Sequence, residues 1–368
     1  MIAGKATPEG TRRYADRIAA AAGHFREALG LRLSSLGLGT YLGPEDAKTD
    51  AGYEGSVAVA LRSGVNVFDT AINYRGQKSE RAIGRALAQA FAGGRAQRDE
   101  VFVSTKGGYL PHDADDPRPA RRYVRETFVD SGLAPEGEIA QGCHCLAPAY
   151  LRDQIARSRA NLGLETIDLY YLHNVETQLP AVDADVFRRR LVAAIEVLEA
   201  EAAAGRLAAW GLATWDGLRV PPEHPDHLSL ESVRAAAVEV AGTGHHFRAV
   251  QLPTNLAMAE AVAYRSQETP EGGGRMPALE AARALGLAAF GSASILQGRL
   301  ARYEYPEEVA EALPGMDTAL RQALQFARSA PGLTTALVGV SDPVHAAEDF
   351  ALAAVAPADP AGLLALFA

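Results

Sequence analysis

The sequence predicts an α/β protein folded as a (β/α)8 TIM barrel. Two observations carry this: eight short apolar runs rich in β-branched residues, and segments of helical period lying between them. A third concerns the runner-up, an open doubly wound sheet. That fold favours a strand–Gly-x-Gly-x-x-Gly–helix turn, and Gly37-x-Gly39-x-x-x-Gly43 misses the spacing.

The runs are Leu33–Thr40, Val65–Thr70, Val101–Lys106, Ile167–His173, Leu207–Thr214, Ala249–Pro253, Leu287–Ser292 and Thr335–Val340. Near-continuous apolar character, as in Ile167-Asp-Leu-Tyr-Tyr-Leu, suits parallel strands buried on both faces. Within Gln77–Phe91, the residues Ile83, Ala86, Leu87 and Ala90 recur at helical spacing. Within Asp185–Ala204, Phe187, Leu191, Ile195, Leu198 and Ala202 do the same, and Gly205 supplies a stop. Strand and helix alternate eight times, which points to a barrel closed on itself.

The whole chain, residues 1–368, reads as a single domain. Residues 1–32 form an extension able to close the barrel bottom, 33–355 the barrel, and 356–368 a tail. Gly107–Ala147 is a long loop after the third strand. Arg265–Pro277, with Gly272-Gly273-Gly274, is expected to be a mobile loop.

Hydrophobic residues make up 48% of the chain and charged residues 22%, enough apolar material for a sizeable core. A net charge of −9 argues against nucleic acid and anionic membranes as partners, since both require a basic surface. Cys143 and Cys145 are the only cysteines, a usage that fits a reducing compartment. With no signal-like or membrane-spanning apolar run, the expected location is the cytoplasm.

Active sites of such barrels gather where the βα loops converge, at the C-terminal ends of the strands. Asp69 ends the second run, with Tyr74 five residues on. Lys106 ends the third, His173 the fourth, and Gln251 lies in the sixth. A tyrosine is a weak acid, with a pKa of about 10. A neighbouring ammonium stabilises its anion and eases proton donation, and Lys106 is placed for that. Asp69 serves as counter-ion to Lys106, and His173 can hydrogen-bond a substrate oxygen. This set polarises and protonates a carbonyl but contains no nucleophile, so a bound cofactor must bring the hydride. Singly, each residue also reads as a helix cap, rim charge or packing group; together they make a constellation.

With these residues in view, the chain resembles the aldo-keto reductase family. The resemblance rests on Phe68-Asp-Thr-Ala-Ile-Asn-Tyr74, Ser79-Glu-Arg-Ala-Ile-Gly84, Val103-Ser-Thr-Lys106 and Asp168-Leu-Tyr-Tyr-Leu-His173. It implies a catalytic tetrad of Asp69, Tyr74, Lys106 and His173 with Tyr74 as general acid, and an NADP or NAD cofactor. It further implies that Gly39, Thr40 and Tyr41 border the nicotinamide and that Gln251, assisted by Thr214, binds the carboxamide. By the same likeness Phe290 is expected to stack on the nicotinamide, Gly291, Ser292, Ser294 and Arg299 to wrap the pyrophosphate, and Gly339, His345, Glu348 and Asp349 to meet the adenosine end. NADP is favoured by the family likeness but not by position 345, where His replaces the usual Arg, while Asp349 adds a negative charge.

The function expected is reduction of an aldehyde or ketone to an alcohol, with a small carbonyl compound as partner. A cofactor-binding regulatory subunit with little turnover is the alternative, and a Schiff-base lyase or isomerase using Lys106 is a third reading. Cys143-His144-Cys145 is a poor metal motif, because adjacent ligands cannot all face one tetrahedral ion. His245-His246 is expected on the solvated surface. Tyr109 and Tyr123 either wall the substrate pocket or pack the long loop.

Overall fold

A computed structural model describes residues 1–269 and 272–367 of the chain. Pro270 and Glu271, in the stretch read as a mobile loop, and Ala368, in the tail, lie outside the described residues. Eight parallel strands close into a barrel: β1 (Leu36–Gly39), β2 (Val67–Asp69), β3 (Phe102–Gly107), β4 (Leu169–His173), β5 (Trp210–Ala213), β6 (Phe247–Pro253), β7 (Ala288–Ser292) and β8 (Thr335–Gly339). Every run named from the sequence overlaps one of them, with β3 ending one residue after its run and β6 starting two residues before. A helix follows each strand: α1 (Ala47–Arg62), α2 (Lys78–Ala92), α3 (Pro148–Leu162), α4 (Ala184–Ala203), α5 (Leu230–Ala241), α6 (Ala278–Ala284), α7 (Ala319–Ser329) and α8 (Pro343–Phe350). β8 pairs with β1 from Ala336–Leu36 to Gly339–Gly39, which closes the ring.

The first run is the one that divides. Leu33 and Ser34 finish an antiparallel hairpin, Phe25–Ala28 with Leu31–Ser34, turned at Leu29 and Gly30 with φ of 57° and 73°. The Ser34 N–H then donates to Asn66 Oδ1 at 2.9 Å, and the chain swings into β1. Leu31 and Leu33 pack inside the barrel with Val67, Phe102 and Leu169, so the hairpin is its floor. Asp168 ties the floor together. Its carboxylate accepts from the N–H groups of Ala6 and Val103 and pairs with the buried Arg98 at 2.8 Å.

Side chains inside the barrel follow the two-residue period of each strand and change from apolar at the floor to polar at the mouth. On β3 the inward series is Phe102, Ser104, Lys106; on β4 it is Leu169, Tyr171, His173; on β7 it is Ala288, Phe290, Ser292. The outward side of β3 shows the opposite logic. Thr105 points at α2, donating to the buried Glu80 at 2.6 Å, and Glu80 also accepts from Asn161 of α3 at 2.8 Å.

Three segments differ from expectation. Around the glycines, in the stretch read as a mobile loop, Gln267–Glu268 pairs with Arg275–Met276 as a short antiparallel ribbon. His245 is buried rather than solvated, while His246 is partly exposed, its Nδ1 2.6 Å from Glu199, which also accepts from the Trp210 indole. The long segment after β3 carries its own structure, a helical stretch at Ala120–Val129 and a hairpin pairing Ile139–Ala140 with His144–Cys145.

Candidate active site

At the C-terminal end of the barrel lies a cavity of 440 Å³. Beneath it, Lys106 is fully buried and donates to Asp69 Oδ2 at 2.5 Å and to the Thr70 carbonyl at 2.8 Å. The other carboxylate oxygen, Asp69 Oδ1, accepts from Ser104 Oγ at 2.7 Å and Gln251 Nε2 at 2.9 Å. Three strands thus meet on one carboxylate. Burial pulls the Lys106 ammonium down, but the facing Asp69 carboxylate and Tyr74 together more than reverse this and leave its pKa raised. The lysine is therefore charged at neutral pH.

Tyr74 lies above it, with Lys106 Nζ 4.9 Å from the centre of its ring. Burial pushes the phenol's pKa up and Lys106 pulls it back, with burial prevailing. The sequence argument expected the lysine to lower this pKa. It acts in the expected direction, but desolvation of the phenolate outweighs it. His173 meets the Tyr74 ring edge-on at 5.9 Å. Burial, then Lys106, hold its pKa well below the usual histidine value, so its imidazole is neutral.

The four tetrad residues come together as the sequence placed them. Asp69, Tyr74 and His173 line the cavity, as do Gly39, Thr40 and Tyr41 at the end of β1, Gln251, Ser292, Ser294 and Gly339. Thr214 does not line the cavity: it is buried, its N–H donates to the Gln251 carbonyl at 2.8 Å, and its hydroxyl has no partner among the described residues. Gly291 faces away from the cavity: a Cβ there would meet Leu333 at 3.0 Å and Thr254 at 3.4 Å. Arg299 lies exposed beyond the Ser292–Gln297 loop, and His345 and Glu348 are exposed on α8.

Two expectations are corrected. Phe290 cannot stack on a ligand in the mouth, because it is fully buried inside the barrel, stacked on Phe102 at 5.7 Å and 6°. It occupies the middle layer of β7, and the inward position at the mouth, two residues or roughly 6.6 Å further along the strand, is Ser292. Asp349 does not present a charge to the adenosine end either. It is buried beneath α8, and burial pushes its carboxyl up to about 7.

Sequence reasoning passed over Ser104, Asn73, Asn174 and Trp215. Ser104 was findable, being two residues before Lys106 on the same face of β3. The other three line the cavity from loops, where no period marks a direction. Tyr109 also lines the cavity, whereas Tyr123 packs on Phe128 within the long segment.

Residues 35–224 match the profile of the aldo/keto reductase family, over half of the chain. The chain belongs to the aldo-keto reductase family. It is 33% identical over 144 residues to a D-threo-aldose 1-dehydrogenase of a Pseudomonas species, covering 39% of this chain and 38% of that protein. It is 28% identical over 153 residues to the L-glyceraldehyde 3-phosphate reductase of Escherichia coli K12, covering 41% of this chain and 36% of that one. The matched stretch thus spans less than two-fifths of these relatives. Among solved structures, an aldo-keto reductase from Klebsiella pneumoniae in complex with NADPH superposes with a TM-score of 0.60 at 17% identity, covering 95% and 96% of the two chains. The holo form of one from Bacillus halodurans gives 0.59 at 18%, covering 93% and 95%. These likenesses bear on the fold. Among the described residues no helix is long and apolar enough to cross a membrane.

Proposed function

We propose that this chain is an NAD(P)H-dependent reductase that converts the carbonyl of a small aldehyde or ketone to an alcohol, with Tyr74 as proton donor. The observation that carries the reading is the buried Lys106 ammonium, fixed by Asp69 at 2.5 Å and held 4.9 Å from the centre of the Tyr74 ring. An isolated lysine does not enter a dry pocket without a purpose that repays its desolvation. Here it favours the anion that Tyr74 becomes after giving up its proton.

The cavity suits a dinucleotide in two respects. Asn73 Oδ1, His173 Nδ1 and Thr214 Oγ1 are buried and have no partner among the described residues, bonding capacity that a polar ligand satisfies. Ala293, Leu296 and Gln297 all hold left-handed φ, between 45° and 56°, and such turns aim backbone N–H groups into concavities that favour anions. When bound, the reduced nicotinamide supplies a hydride. Gly39, Thr40, Tyr41, Gln251 and Thr214 would hold its ring and carboxamide, the Ser292–Arg299 segment the pyrophosphate, and Gly339, His345 and Glu348 the adenosine end. His345 lacks the forked, permanent charge of arginine, so both dinucleotides are accepted, with NADP favoured by family likeness alone.

The chain's own groups do the rest. His173, neutral and held edge-on to Tyr74, hydrogen-bonds the substrate oxygen without adding charge. The Tyr74 hydroxyl gives its proton to that oxygen as the alcohol forms. Lys106, itself held by Asp69, stabilises the resulting tyrosinate until solvent reprotonates it. The reading takes the chain as one catalytic domain, and its two free thiols suit the cytoplasm.

Cofactor oxidation over a carbonyl panel with each dinucleotide tests it. Tyr74→Phe should cut kcat by about 10² to 10⁴, the usual worth of a general acid, and leave dinucleotide affinity unchanged. Near-normal turnover in that variant overturns the role of Tyr74. Tight dinucleotide binding without turnover of any carbonyl by the wild type would make the chain a cofactor-holding subunit instead.

A further inference from the structure

We infer that His144, in the segment between β3 and α3, is a positioning residue for His173, oriented by a directed chain of hydrogen bonds that starts at Arg190. The inference rests on the reductase reading above, in which His173 touches the substrate.

The backbone first places His144. Its short hairpin docks on the residues leaving β3: Leu110 N–H donates to the Cys143 carbonyl and Cys145 N–H to the Gly108 carbonyl, both at 2.8 Å. The side chain is fully buried at the end of β4, and its Nε2 lies 2.7 Å from the His173 carbonyl oxygen. A carbonyl only accepts, so Nε2 carries the hydrogen. The approach leaves no space for a side chain at Gly108, where a Cβ would come within 2.5 Å of His144 Nε2.

The rest of the chain fixes that tautomer. Arg190 can only donate. Its guanidinium donates to Gln178 Oε1 at 2.7 Å, and its remaining contacts are Glu138 at 2.8 Å and the Gly137 carbonyl at 2.5 Å. Gln178 therefore turns its amide nitrogen the other way, 2.9 Å from His144 Nδ1 and 3.1 Å from the His144 carbonyl. Nδ1 must accept. Every polarity runs from Arg190 through Gln178 and His144 to the backbone of His173, and a neutral donor ends it. Burial supports this by pushing the His144 pKa down to about 4.

The same segment steadies the His173 ring. Tyr109 meets it edge-on at 5.1 Å and meets His144 edge-on at 5.2 Å. The Tyr109 hydroxyl bonds Asn174 and Thr177, and its carbonyl accepts from Tyr150 at 2.6 Å. His173 is thus fixed at its backbone by His144 and at its ring between Tyr74 and Tyr109. A misplacement of about 1 Å in such a group costs on the order of a hundredfold in rate.

Nitrogen-15 NMR of the histidine rings at neutral pH, combined with kinetics of His144→Ala and His144→Gln, tests the inference. His144 should be protonated at Nε2 and bare at Nδ1, and the His173 ring signals should move in His144→Ala. That variant should lose kcat by about tenfold or more, with dinucleotide affinity unchanged. His144→Gln, whose amide can reach the same carbonyl, should recover most of the loss. An Nδ1-protonated His144, unmoved His173 signals, unchanged kcat, or equal losses in the two variants would each overturn the relay. A wild type that reduces no carbonyl would overturn the reductase reading, and the ring signals would still decide the hydrogen-bond chain.

Discussion

Lys106 has no route to water, and its charge depends entirely on what surrounds it. Its effect on Tyr74 is downward even though burial sets the net direction. Lys106→Met should therefore move the ionisation of Tyr74 to still higher pH, shifting the alkaline limb of the pH–rate profile upward, and should lower kcat. Asp69→Asn should lower activity by stranding a buried ammonium. A pH–rate profile unchanged in Lys106→Met would leave the lysine without influence on the acid. The four tetrad residues were legible from sequence because strand ends and a five-residue spacing mark them. The sign of the Tyr74 shift was not, since it depends on how much water the fold excludes, and no local pattern records that.

At the scale of elements, Ser79-Glu80-Arg-Ala-Ile-Gly84 is a structural join whose sequence is recognisable for packing reasons. Ser79 Oγ donates to the Thr40 carbonyl at 2.7 Å, and Glu80 braces Thr105 beside Lys106. Gly84 lets α2 approach α3, for a Cβ there would lie 2.7 Å from the carbonyl oxygens of Asn161 and Leu162. Backbone atoms cannot yield as a side chain does. Gly84→Ala should destabilise the chain by about 1 to 3 kcal/mol through overpacking, read by denaturant unfolding. A neutral effect would mean that the two helices separate freely. Elsewhere, depth along β7 separates what a motif match conflates: Phe290 and Ser292 share a face, and only one reaches the mouth. The hairpin ending at Cys145 was illegible because two-residue strands have no period to detect.

For the molecule as a whole, the eight strands were readable because burial on both faces leaves apolar runs, and the floor was readable as an extension although its hairpin was not. His24 links that floor to the barrel wall. It is fully buried, with Nε2 3.0 Å from the Gly64 carbonyl and Nδ1 3.1 Å from the Ser35 hydroxyl. Burial lowers its pKa to about 4 from 6.5. The folded state therefore binds fewer protons than the unfolded chain between these values, and the stabilisation present above pH 6.5 is lost as the pH falls towards 4. Comparing wild type with His24→Asn removes contributions from other groups, including Asp349, whose raised pKa acts in the opposite direction. The stability difference should shift against the wild type by about 3 kcal/mol between pH 7 and pH 4. A pH-independent difference would mean that His24 does not titrate with folding.

Ring closure has a temporal side. The floor and β1 leave the ribosome some three hundred residues ahead of β8, their partner. Thr335 Oγ donates to the Ser34 carbonyl at 2.7 Å, and the Ala336 N–H donates to that of Ser35 at 2.9 Å, contacts that join residues some three hundred positions apart. Such distant pairing comes late and slowly in folding. Until it forms, β1 and β7 are bare sheet edges, open to pairing with other chains. A nascent chain arrested before Thr335 should be cut by protease near residues 25–40 as readily as an unfolded one, and release of the remaining residues should bring protection. Early protection of that stretch would mean that the floor folds ahead of the ring it closes.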